Sequence, residues 1–382
     1  MIEVKTNQQQ NIRLLAVKAL SEINRNGAYA NIKLQEYLQK YHLSDLDRRF
    51  FTELVYGVIR RKNYLDAIIV FFAKRPLKKL SSMVVEILRL GIYQIIYMDK
   101  VPESAAVNES VKLAKKLTRG LSGFVNAVLR SVLRESDSIS IGELAKSEAE
   151  EISFIYNQPL WLVNLWIKEM GKDKTVDLCS WFNEQPRLTA RINTVKVSIE
   201  DCLKELEDLD WIVEQDTYIP EVVYIDGHQG HLEKAKPVLD GHITFMDKAS
   251  MLVAHVVDPQ PGERILDCCA APGGKSMHMA SLMNNTGAIM SCDIYDHKLE
   301  LINQNAERLG VSIISTKLQD GRYLPDNWKE QFDRVLVDAP CSGLGILQKK
   351  LDMRWRKTES LLIELPPLQL EILEKASEMV KV

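Results

Sequence analysis

Along roughly the first 140 residues, hydrophobic side chains recur every three or four positions. The clearest series are Ile12, Ala16, Ala19, Leu20 and Ile23; Val84, Leu88 and Ile92; and Val125, Val128, Leu129 and Val132. This spacing places the apolar residues on one face of a helix. Another helix is predicted to begin at Pro102 and Glu103, because proline is favoured at helix starts. The pattern therefore predicts an all-α bundle of short helices over residues 1–140.

Between residues 141 and 245 the pattern changes. The segment 136–147 is polar and acidic, as is typical of a linker. Leu188–Asn193 alternates between apolar and polar positions, which predicts a strand. Further elements are predicted at 199–206 (a helix), 211–213 (a strand) and 222–225 (a strand). We therefore predict a linker followed by a small α/β subdomain over 141–245.

From residue 246 onward, short apolar runs alternate with helical patterns. Strands are predicted at 263–269, 288–292, 311–318 and 332–337. Helices are predicted at 276–283, 297–309 and 368–380. Strands that alternate with helices usually build a parallel, doubly wound sheet. We therefore predict a Rossmann-like α/β domain over 246–382.

The first of these strands runs into a loop of small residues. The sequence there is Asp267-Cys268-Cys269-Ala270-Ala271-Pro272-Gly273-Gly274-Lys275. Glycines without a Cβ atom let the backbone approach a ligand closely. The N-terminus of the helix that follows favours an anion. The loop therefore predicts a cradle for a nucleotide-like cofactor, although a tight turn without a ligand is the alternative.

Three carboxylates follow at the ends of successive strands. They are Asp293, Asp320 and Asp338. In a doubly wound sheet the carboxyl ends of the strands share one crevice, and an acid after the second strand usually binds ribose hydroxyls. Asp320 could reach an adenine amino group. A single aspartate of this kind is more often a cap, but three in series after a glycine loop favour a binding site.

The loop chemistry separates the candidate cofactors. The Gly-x-Gly-x-x-Gly fingerprint of dinucleotide binding and the Gly-x4-Gly-Lys-Ser/Thr loop of nucleoside triphosphatases are both absent from the sequence. The site therefore fits S-adenosyl-L-methionine (SAM) better than NAD or ATP. Another Rossmann-like enzyme is a disfavoured reading.

Taken together, these segments resemble the RsmB/Sun (Fmu) family of 16S ribosomal RNA cytosine-5 methyltransferases. The matching segments are 267–275, Asp293, 320–322, the run Asp-Ala-Pro-Cys-Ser-Gly-Leu-Gly at 338–345, and 349–357. The N-terminal third resembles the NusB-type RNA-binding helical domain at 47–50, 54–58, 90–94 and 107–109. The resemblance spans essentially the whole chain.

That resemblance implies both a cofactor site and a partner. SAM would be bound by Cys269, Ala270, Ala271, Pro272, Gly273, Gly274, Lys275, Asp293, Asp320 and Asp338. Asp338 would also contact the edge of the cytosine. The partner implied is 16S ribosomal RNA before the subunit is fully assembled, and the reaction type is methylation of C5 of cytosine 967.

The reaction needs a thiolate. C5 of cytosine is a poor nucleophile, and addition of a thiolate at C6 makes C5 carbanion-like, so that a hard step is divided into easier ones. Asp338 suits stabilisation of the charge that develops at N3. Cys341 lies three residues further on, and the resemblance implies that it helps to resolve the covalent adduct.

The attacking cysteine of the family lies in a later Thr-Cys motif. The 382 residues contain no Thr-Cys, and we expect this nucleophile beyond Val382, in a methyltransferase domain that is incomplete at its C-terminus. Two alternatives stay open. Cys341 could act alone, as in DNA cytosine methyltransferases, or the chain could be a non-catalytic RNA-binding protein with a methyltransferase-like scaffold.

Charge restricts where RNA could bind. The net charge of −3 is not that of a strongly basic nucleic-acid binder, so any RNA-binding surface must come from local basic patches. Most basic clusters are ordinary solvated surface. The exception is the stretch that flanks the proposed catalytic loop, where cations accompany a ring that can stack. The predicted RNA-binding residues there are Lys349, Lys350, Arg354, Trp355 and Arg356.

The cysteine content and the lengths of the apolar runs indicate the cellular compartment. Six scattered cysteines without a Cys-x2-Cys pair do not predict a zinc site. Without a signal peptide, they fit a reducing cytoplasm. No apolar run reaches the length of a membrane span of about 18 residues. We therefore predict a cytoplasmic SAM-dependent ribosomal RNA methyltransferase, with no metal and no membrane contact, and with protein partners that the sequence leaves undefined.

Overall fold

The computed structural model describes residues 11–26, 28–135, 140–228 and 232–382. The predicted linker at 136–147 lies partly outside them. The described residues form two compact units. The first, here called the helical unit, comprises residues up to Gln185 together with Gly343–Glu359. The second, the sheet unit, comprises Pro186–Ser342 and Ser360–Val382. The predicted domain boundaries at 140 and 245 stay a prediction.

The helical unit is all-α among its described residues, which confirms the bundle predicted over 1–140 and adds helices between 141 and 181, where a linker and an α/β subdomain were predicted. Its helices are α1 (Ile12–Asn26), α2 (Ala30–Lys40), α3 (Asp45–Arg60), α4 (Lys62–Ala73), α5 (Ser82–Tyr97), α6 (Glu103–Leu117), α7 (Ser122–Glu135), α8 (Ile141–Leu144), α9 (Glu148–Tyr156), α10 (Leu160–Met170) and α11 (Lys172–Trp181). Helix α5 lies at the centre, with its residues buried from Val84 to Gln94. Apolar burial on all sides of one helix is what a bundle core requires.

A second segment completes this unit from late in the chain. Residues 343–359, here called the strap, contain two short turns of 3₁₀ helix at Leu344–Ile346 and Leu351–Trp355. Leu347 and Met353 of the strap are buried against a cluster that includes Trp166 and Phe182. The strap is therefore part of the core of the helical unit.

In the sheet unit, a small antiparallel sheet comes first. Its strands, in the order β2-β3-β1-β4, are β1 (Leu188–Ile192), β2 (Ile212–Gln215), β3 (Val222–Gly227) and β4 (Ile243–Phe245). Helices α12 (Ile199–Asp208) and α13 (Lys236–Leu239) accompany it. This is the predicted small α/β subdomain, and β4 is an additional strand that the short run at 243–245 did not indicate.

A parallel sheet follows after α14 (Lys248–Val257). Its strands, in the order β7-β6-β5-β8, are β5 (Arg264–Asp267), β6 (Ala288–Asp293), β7 (Ile314–Leu318) and β8 (Arg334–Leu336). The helices are α15 (Gly274–Leu282), α16 (Asp296–Leu309) and α17 (Leu361–Ser377). Beyond α17, Val380 forms a parallel bridge with Phe332 beside β8. The predicted Rossmann-like sheet is confirmed.

The start of α17 differs from the prediction. The helix begins at Leu361 and includes Pro366 and Pro367, whereas the sequence predicted a start at Leu368. Proline removes a backbone donor and usually ends a helix. Here the carbonyls that lose these donors belong to the first turns, where Ile363 is exposed, so water can satisfy them.

No helix among the described residues has the length and apolar character needed to cross a membrane.

Candidate active site

The parallel register brings several polar residues to one edge of the sheet. Asp267 at the end of β5 stands opposite Ser291 of β6 and Leu336 of β8. Asp293 at the end of β6 stands opposite Leu318 of β7. The loops after all four strands therefore leave the sheet at the same edge, where doubly wound sheets bind their ligands.

The loop after β5 is shaped by Gly273. Its φ of 96° is left-handed, and a Cβ atom there would lie 3.3 Å from the side chains of Ile302 and Met277. Glycine is favoured in this conformation because it has no Cβ atom. Gly273 precedes the first residue of α15, and no side chain caps that helix. The first N–H groups of α15 are thus directed toward whatever occupies the crevice.

A cavity of about 200 Å³ opens beside this loop. Its walls are Cys269, Ala270, Ala271, Pro272, Gly274 and Lys275 of the loop, Asp267 and Asp338 at strand ends, and Phe245, Met246 and Ser250 around the start of α14. Seven of the ten predicted cofactor residues therefore line one cavity. Gly273, Asp293 and Asp320 do not.

Asp267 is the most buried carboxylate of the cavity. It is 1 % exposed, and its Oδ2 accepts a hydrogen bond of 2.7 Å from the hydroxyl of Ser276. That hydroxyl in turn lies 2.9 Å from Ser291 Oγ. The other oxygen, Oδ1, has no hydrogen-bond partner among the described residues. Burial raises the pKa of Asp267 to about 6. A buried acceptor without a donor is costly, so this oxygen suits a ligand that supplies an N–H group.

Asp338 lines the cavity, and Cys341 follows it three residues later without lining the cavity. Asp338 is about half exposed and forms an ion pair with the ammonium group of Lys275. Cys341 is exposed, whereas four of the other five cysteines are buried and Cys269 is partly buried. Burial raises the pKa of Cys269 to about 12. Cys341 is therefore the accessible thiol of this sequence.

The two remaining predicted acids are held differently. Asp293 is 7 % exposed, accepts the N–H of Tyr295 at 3.1 Å and lies 3.6 Å from Lys298 Nζ. Asp320 receives the backbone N–H of Arg322 at 3.0 Å and its guanidinium at 2.7 Å. These bonds hold the pKa of Asp320 below its ordinary value. Asp320 is thus already paired, while Asp293 keeps acceptor capacity.

A second polar cluster was not predicted from the sequence. Glu221 Oε1 lies 2.6 Å from His255 Nε2 and 2.7 Å from His278 Nε2, and these atoms could hold a metal ion. The carboxylate also attracts the buried cation of Arg191. A metal ion would be repelled by that cation, so we interpret the group as a hydrogen-bonded cluster. The three side chains are separated by up to 57 residues, and no local spacing could have indicated them.

The predicted RNA-binding residues of the strap fall into two groups. Lys349 and Lys350 are exposed. Arg354 is 1 % exposed and donates to the carbonyls of Phe182 at 2.6 Å and Asn157 at 3.2 Å. Its guanidinium is therefore engaged within the protein, which leaves the prediction of a direct RNA contact without structural support.

The last two residues of that prediction flank a polar cavity. Trp355 donates from its ring nitrogen to the carbonyl of Ile59 at 2.7 Å. Arg356 contacts the ring of Tyr29. Both line a cavity of about 440 Å³ in the helical unit, which Lys62 and Arg25 also line. Burial lowers the pKa of Lys62, whose ammonium group donates to Asn24 Oδ1 at 2.9 Å.

Three family models match the chain. The model described as 16S rRNA methyltransferase RsmB/F matches residues 254–382. The model of the NusB family matches residues 10–134. The ferredoxin-like domain of RsmF/B-like methyltransferases matches residues 158–230. Together they correspond to the methyltransferase sheet, the N-terminal bundle and the small α/β subdomain.

Relatives match over nearly the whole chain. A probable ribosomal RNA small subunit methyltransferase B of Bacillus subtilis (strain 168) is 35% identical over 376 residues, which are 98% of this chain and 83% of the relative. The Synechocystis sp. protein of the same description is 37% identical over 382 residues, with 97% and 83% covered. The crystal structure of PH0851 has a TM-score of 0.80, covers 99% of this chain and 85% of its own, and is 24% identical. That structure supports the fold.

Proposed function

Since the chain belongs to the family of ribosomal RNA small subunit methyltransferases B, we propose that it transfers a methyl group from SAM to C5 of a cytosine in 16S ribosomal RNA. The observation that carries this proposal is the cavity at the carboxyl edge of the parallel sheet. There a glycine loop, a buried acceptor without a donor and the Lys275–Asp338 pair share one enclosed space.

The residues of the cavity fit the cofactor group by group. The first N–H groups of α15 and the ammonium of Lys275 suit its carboxylate. Asp267 Oδ1, which lacks a donor, suits its amino group. Asp293 retains acceptor capacity for the ribose hydroxyls. Asp320 is the weakest assignment, because Arg322 already engages its carboxylate. When bound, SAM supplies an electrophilic methyl group.

The same cavity offers groups for the acceptor base. As a carboxylic acid, Asp338, which lies beside Lys275, can donate a hydrogen bond to N3 of cytosine, where negative charge develops when a thiolate adds at C6. Cys341 is exposed and lies three residues further along the chain. We assign it to resolution of the adduct, in which the thiolate bound at C6 leaves once the C5 proton has been removed. The alternative is that Cys341 itself forms the bond to C6.

The proposed RNA contacts outside this cavity lie in the helical unit. Lys349 and Lys350 are exposed cations. Beside the strap, the cavity of about 440 Å³ has three cations, Arg25, Lys62 and Arg356, and one carboxylate, Asp352. An excess of positive charge in a concave surface suits a phosphate group. Arg354 is left out of this assignment because it is buried.

The test is transfer of labelled methyl from SAM to protein-free 16S ribosomal RNA by this chain. Because the 382 residues contain no Thr-Cys, label at C5 of cytosine would assign the attack on C6 to Cys341, and mapping of the modified position decides whether it is cytosine 967. Free RNA should accept more label than the assembled small subunit. Binding of both SAM and RNA without any transfer would mean that Cys341 does not attack C6 in this chain. The Thr-Cys nucleophile expected from the family and the non-catalytic RNA-binding alternative would then remain.

A further inference from the structure

A rigid turn projects one aromatic ring from the sheet unit into solvent. Asp216, itself 8 % exposed, fixes this turn. Its Oδ1 accepts the N–H groups of Tyr218 at 2.9 Å and Ile219 at 3.0 Å. Its Oδ2 accepts the hydroxyl of Tyr224 at 2.8 Å and pairs with the ammonium of Lys248. Two backbone N–H groups of the turn are thus held by a carboxylate that two further side chains fix in place.

The ring of Tyr218 contributes little to that framework. Tyr218 is 87 % exposed, although an aromatic side chain gains most from burial. The ammonium of Lys248 lies 5.8 Å from the centre of the ring. A cation near an exposed ring is the arrangement that single-stranded nucleic acids meet on proteins, because a base stacks on the ring while the cation stays close to the backbone.

The turn is packed directly onto the wall of the proposed active site. Ile219, the neighbour of Tyr218, is buried in a small cluster against Met246 and Met251. Met246 lines the catalytic cavity, as does Ser250. Lys248 lies between those two lining residues in the sequence. The turn that carries Tyr218 is therefore connected to the cavity wall through the packing of Ile219 against Met246.

The position within the site indicates which ligand the ring would meet. Met246 and Ser250 share the cavity with Asp338, the residue assigned to the acceptor base. Asp293, assigned to the ribose of the cofactor, does not line this cavity. The turn that carries Tyr218 thus packs against a residue that shares its cavity with the proposed acceptor-base group, Asp338.

We propose that Tyr218 stacks on a nucleobase of the RNA strand that carries the target cytosine. This inference rests on the proposed function, because it takes RNA as the substrate. The turn is ordered before binding, so little conformational entropy is lost when the base stacks. Stacking on a ring is tolerant of base identity. Tyr218 would therefore strengthen RNA binding without selecting the methylated base.

The test compares Tyr218→Ala with Tyr218→Phe. The affinity of each variant for a protein-free 16S ribosomal RNA transcript is measured by filter binding, beside the affinity for SAM by calorimetry. We expect Tyr218→Ala to weaken RNA binding by roughly fivefold to a hundredfold, as stacking on one base contributes. Tyr218→Phe should stay within about twofold, because the ring and not the hydroxyl carries the contact. Affinity for SAM should not change.

Ile212→Ala is the matched control, since Ile212 is also well exposed (66 %) and lies on the edge strand β2 of the same small sheet. It should bind RNA as the unaltered chain does. Equal RNA affinities for Tyr218→Ala and the unaltered chain would overturn the inference while the proposed function stands. Failure of the unaltered chain to bind RNA at all would overturn the proposed function, and the inference with it.

Discussion

Three aspartates at the edge of the parallel sheet have the same type of side chain but lie in three different environments. Asp267 is buried with a free oxygen, Asp320 is bound by Arg322, and Asp338 is half exposed beside Lys275. Sequence position alone makes them equivalent, because each follows a strand. Their surroundings give them different chemistry, and each supports a different expectation.

Asp293→Ala is expected to weaken SAM binding by roughly tenfold to a hundredfold. A hydrogen bond to a charged group contributes about 1.5–3 kcal/mol, and the ribose hydroxyls would lose this acceptor. Isothermal titration calorimetry measures the effect. Asp296→Ala, an exposed carboxylate at the start of α16, is the control. An unchanged dissociation constant for Asp293→Ala would reject the ribose assignment.

Asp267 makes stability depend on pH. Its pKa is about 6 in the folded chain and 3.8 ordinarily, so folding favours the protonated form. This contribution is complete below about pH 3.8 and is lost as the pH rises through about 6. Its size is about 3 kcal/mol, since one pKa unit corresponds to about 1.4 kcal/mol.

Urea unfolding of the unaltered chain and of Asp267→Asn between pH 4 and 7 tests this expectation. Asparagine cannot ionise, so the stability of the unaltered chain should fall relative to the variant as the pH rises. A constant difference across that range would mean that Asp267 keeps its ordinary pKa in the folded chain.

Cys341→Ala distinguishes the two roles of the thiol. If Cys341 resolves an adduct formed by the Thr-Cys cysteine of the family, which the 382 residues do not contain, the variant made in a chain that includes this motif should accumulate a covalent protein–RNA complex that survives a denaturing gel. If Cys341 forms the bond to C6 itself, the variant should show neither complex nor methyl transfer. SAM affinity should be unchanged in both cases, and its loss would mean that Cys341 has a structural role.

Among the elements, the strap differs most from its prediction. The run of cations at 349–357 indicates a surface segment that contacts RNA, and Lys349 and Lys350 are exposed. Arg354 is buried against Asn157 and Phe182, whose carbonyls accept its hydrogen bonds. Both residues lie more than 170 positions earlier in the chain. Local charge cannot show such partners. The start of α17 was also predicted too late, because Pro366 and Pro367 are typical of a helix boundary rather than of a helix interior.

Arg354→Ala is expected to destabilise the helical unit by about 2–4 kcal/mol. The change leaves buried carbonyls without donors, and each such group costs about 1–3 kcal/mol. Urea unfolding measures the loss. Lys350→Ala should alter stability by less than about 0.5 kcal/mol, as exposed substitutions do, while it weakens RNA binding. Comparable stabilities of the two variants would contradict the role given to Arg354.

Features that depend on residues close together in the sequence could be predicted, whereas features that depend on contacts between distant segments could not. The bundle and the parallel sheet depend on local periodicity and on turn residues, and both could be predicted. Cofactor binding by the loop at 269–275 stays a prediction. Met246 and the Glu221–His255–His278 cluster depend on packing between distant segments. Their positions required the tertiary structure, because no spacing in the sequence brings them together.

At the scale of the whole molecule, the two units have separate hydrophobic cores. The helical unit is built around α5 and the strap, and the sheet unit around its two sheets. We expect two calorimetric transitions. If SAM binds the sheet unit as proposed, a SAM concentration one hundred times its dissociation constant should stabilise that unit by about 2.7 kcal/mol.

Differential scanning calorimetry with and without SAM tests this expectation. With SAM, the transition of the sheet unit should move to higher temperature, and the transition of the helical unit should keep its temperature. Arg354→Ala identifies the second transition, because it should lower the one that SAM does not raise. A single transition that SAM shifts as a whole would show that the two units unfold together.

The strap also determines the order in which a newly made chain can finish folding. Leu347 and Met353 close the cluster around Trp166 and Phe182, yet they are synthesised long after it. Translation must pass from residue 186 to residue 359 before the strap is complete, which takes about 10–35 s at roughly 5–20 residues per second. During that interval the strap residues that cover Trp166 and Phe182 are missing, so we expect the nascent chain to expose apolar surface there and to be open to chaperone binding.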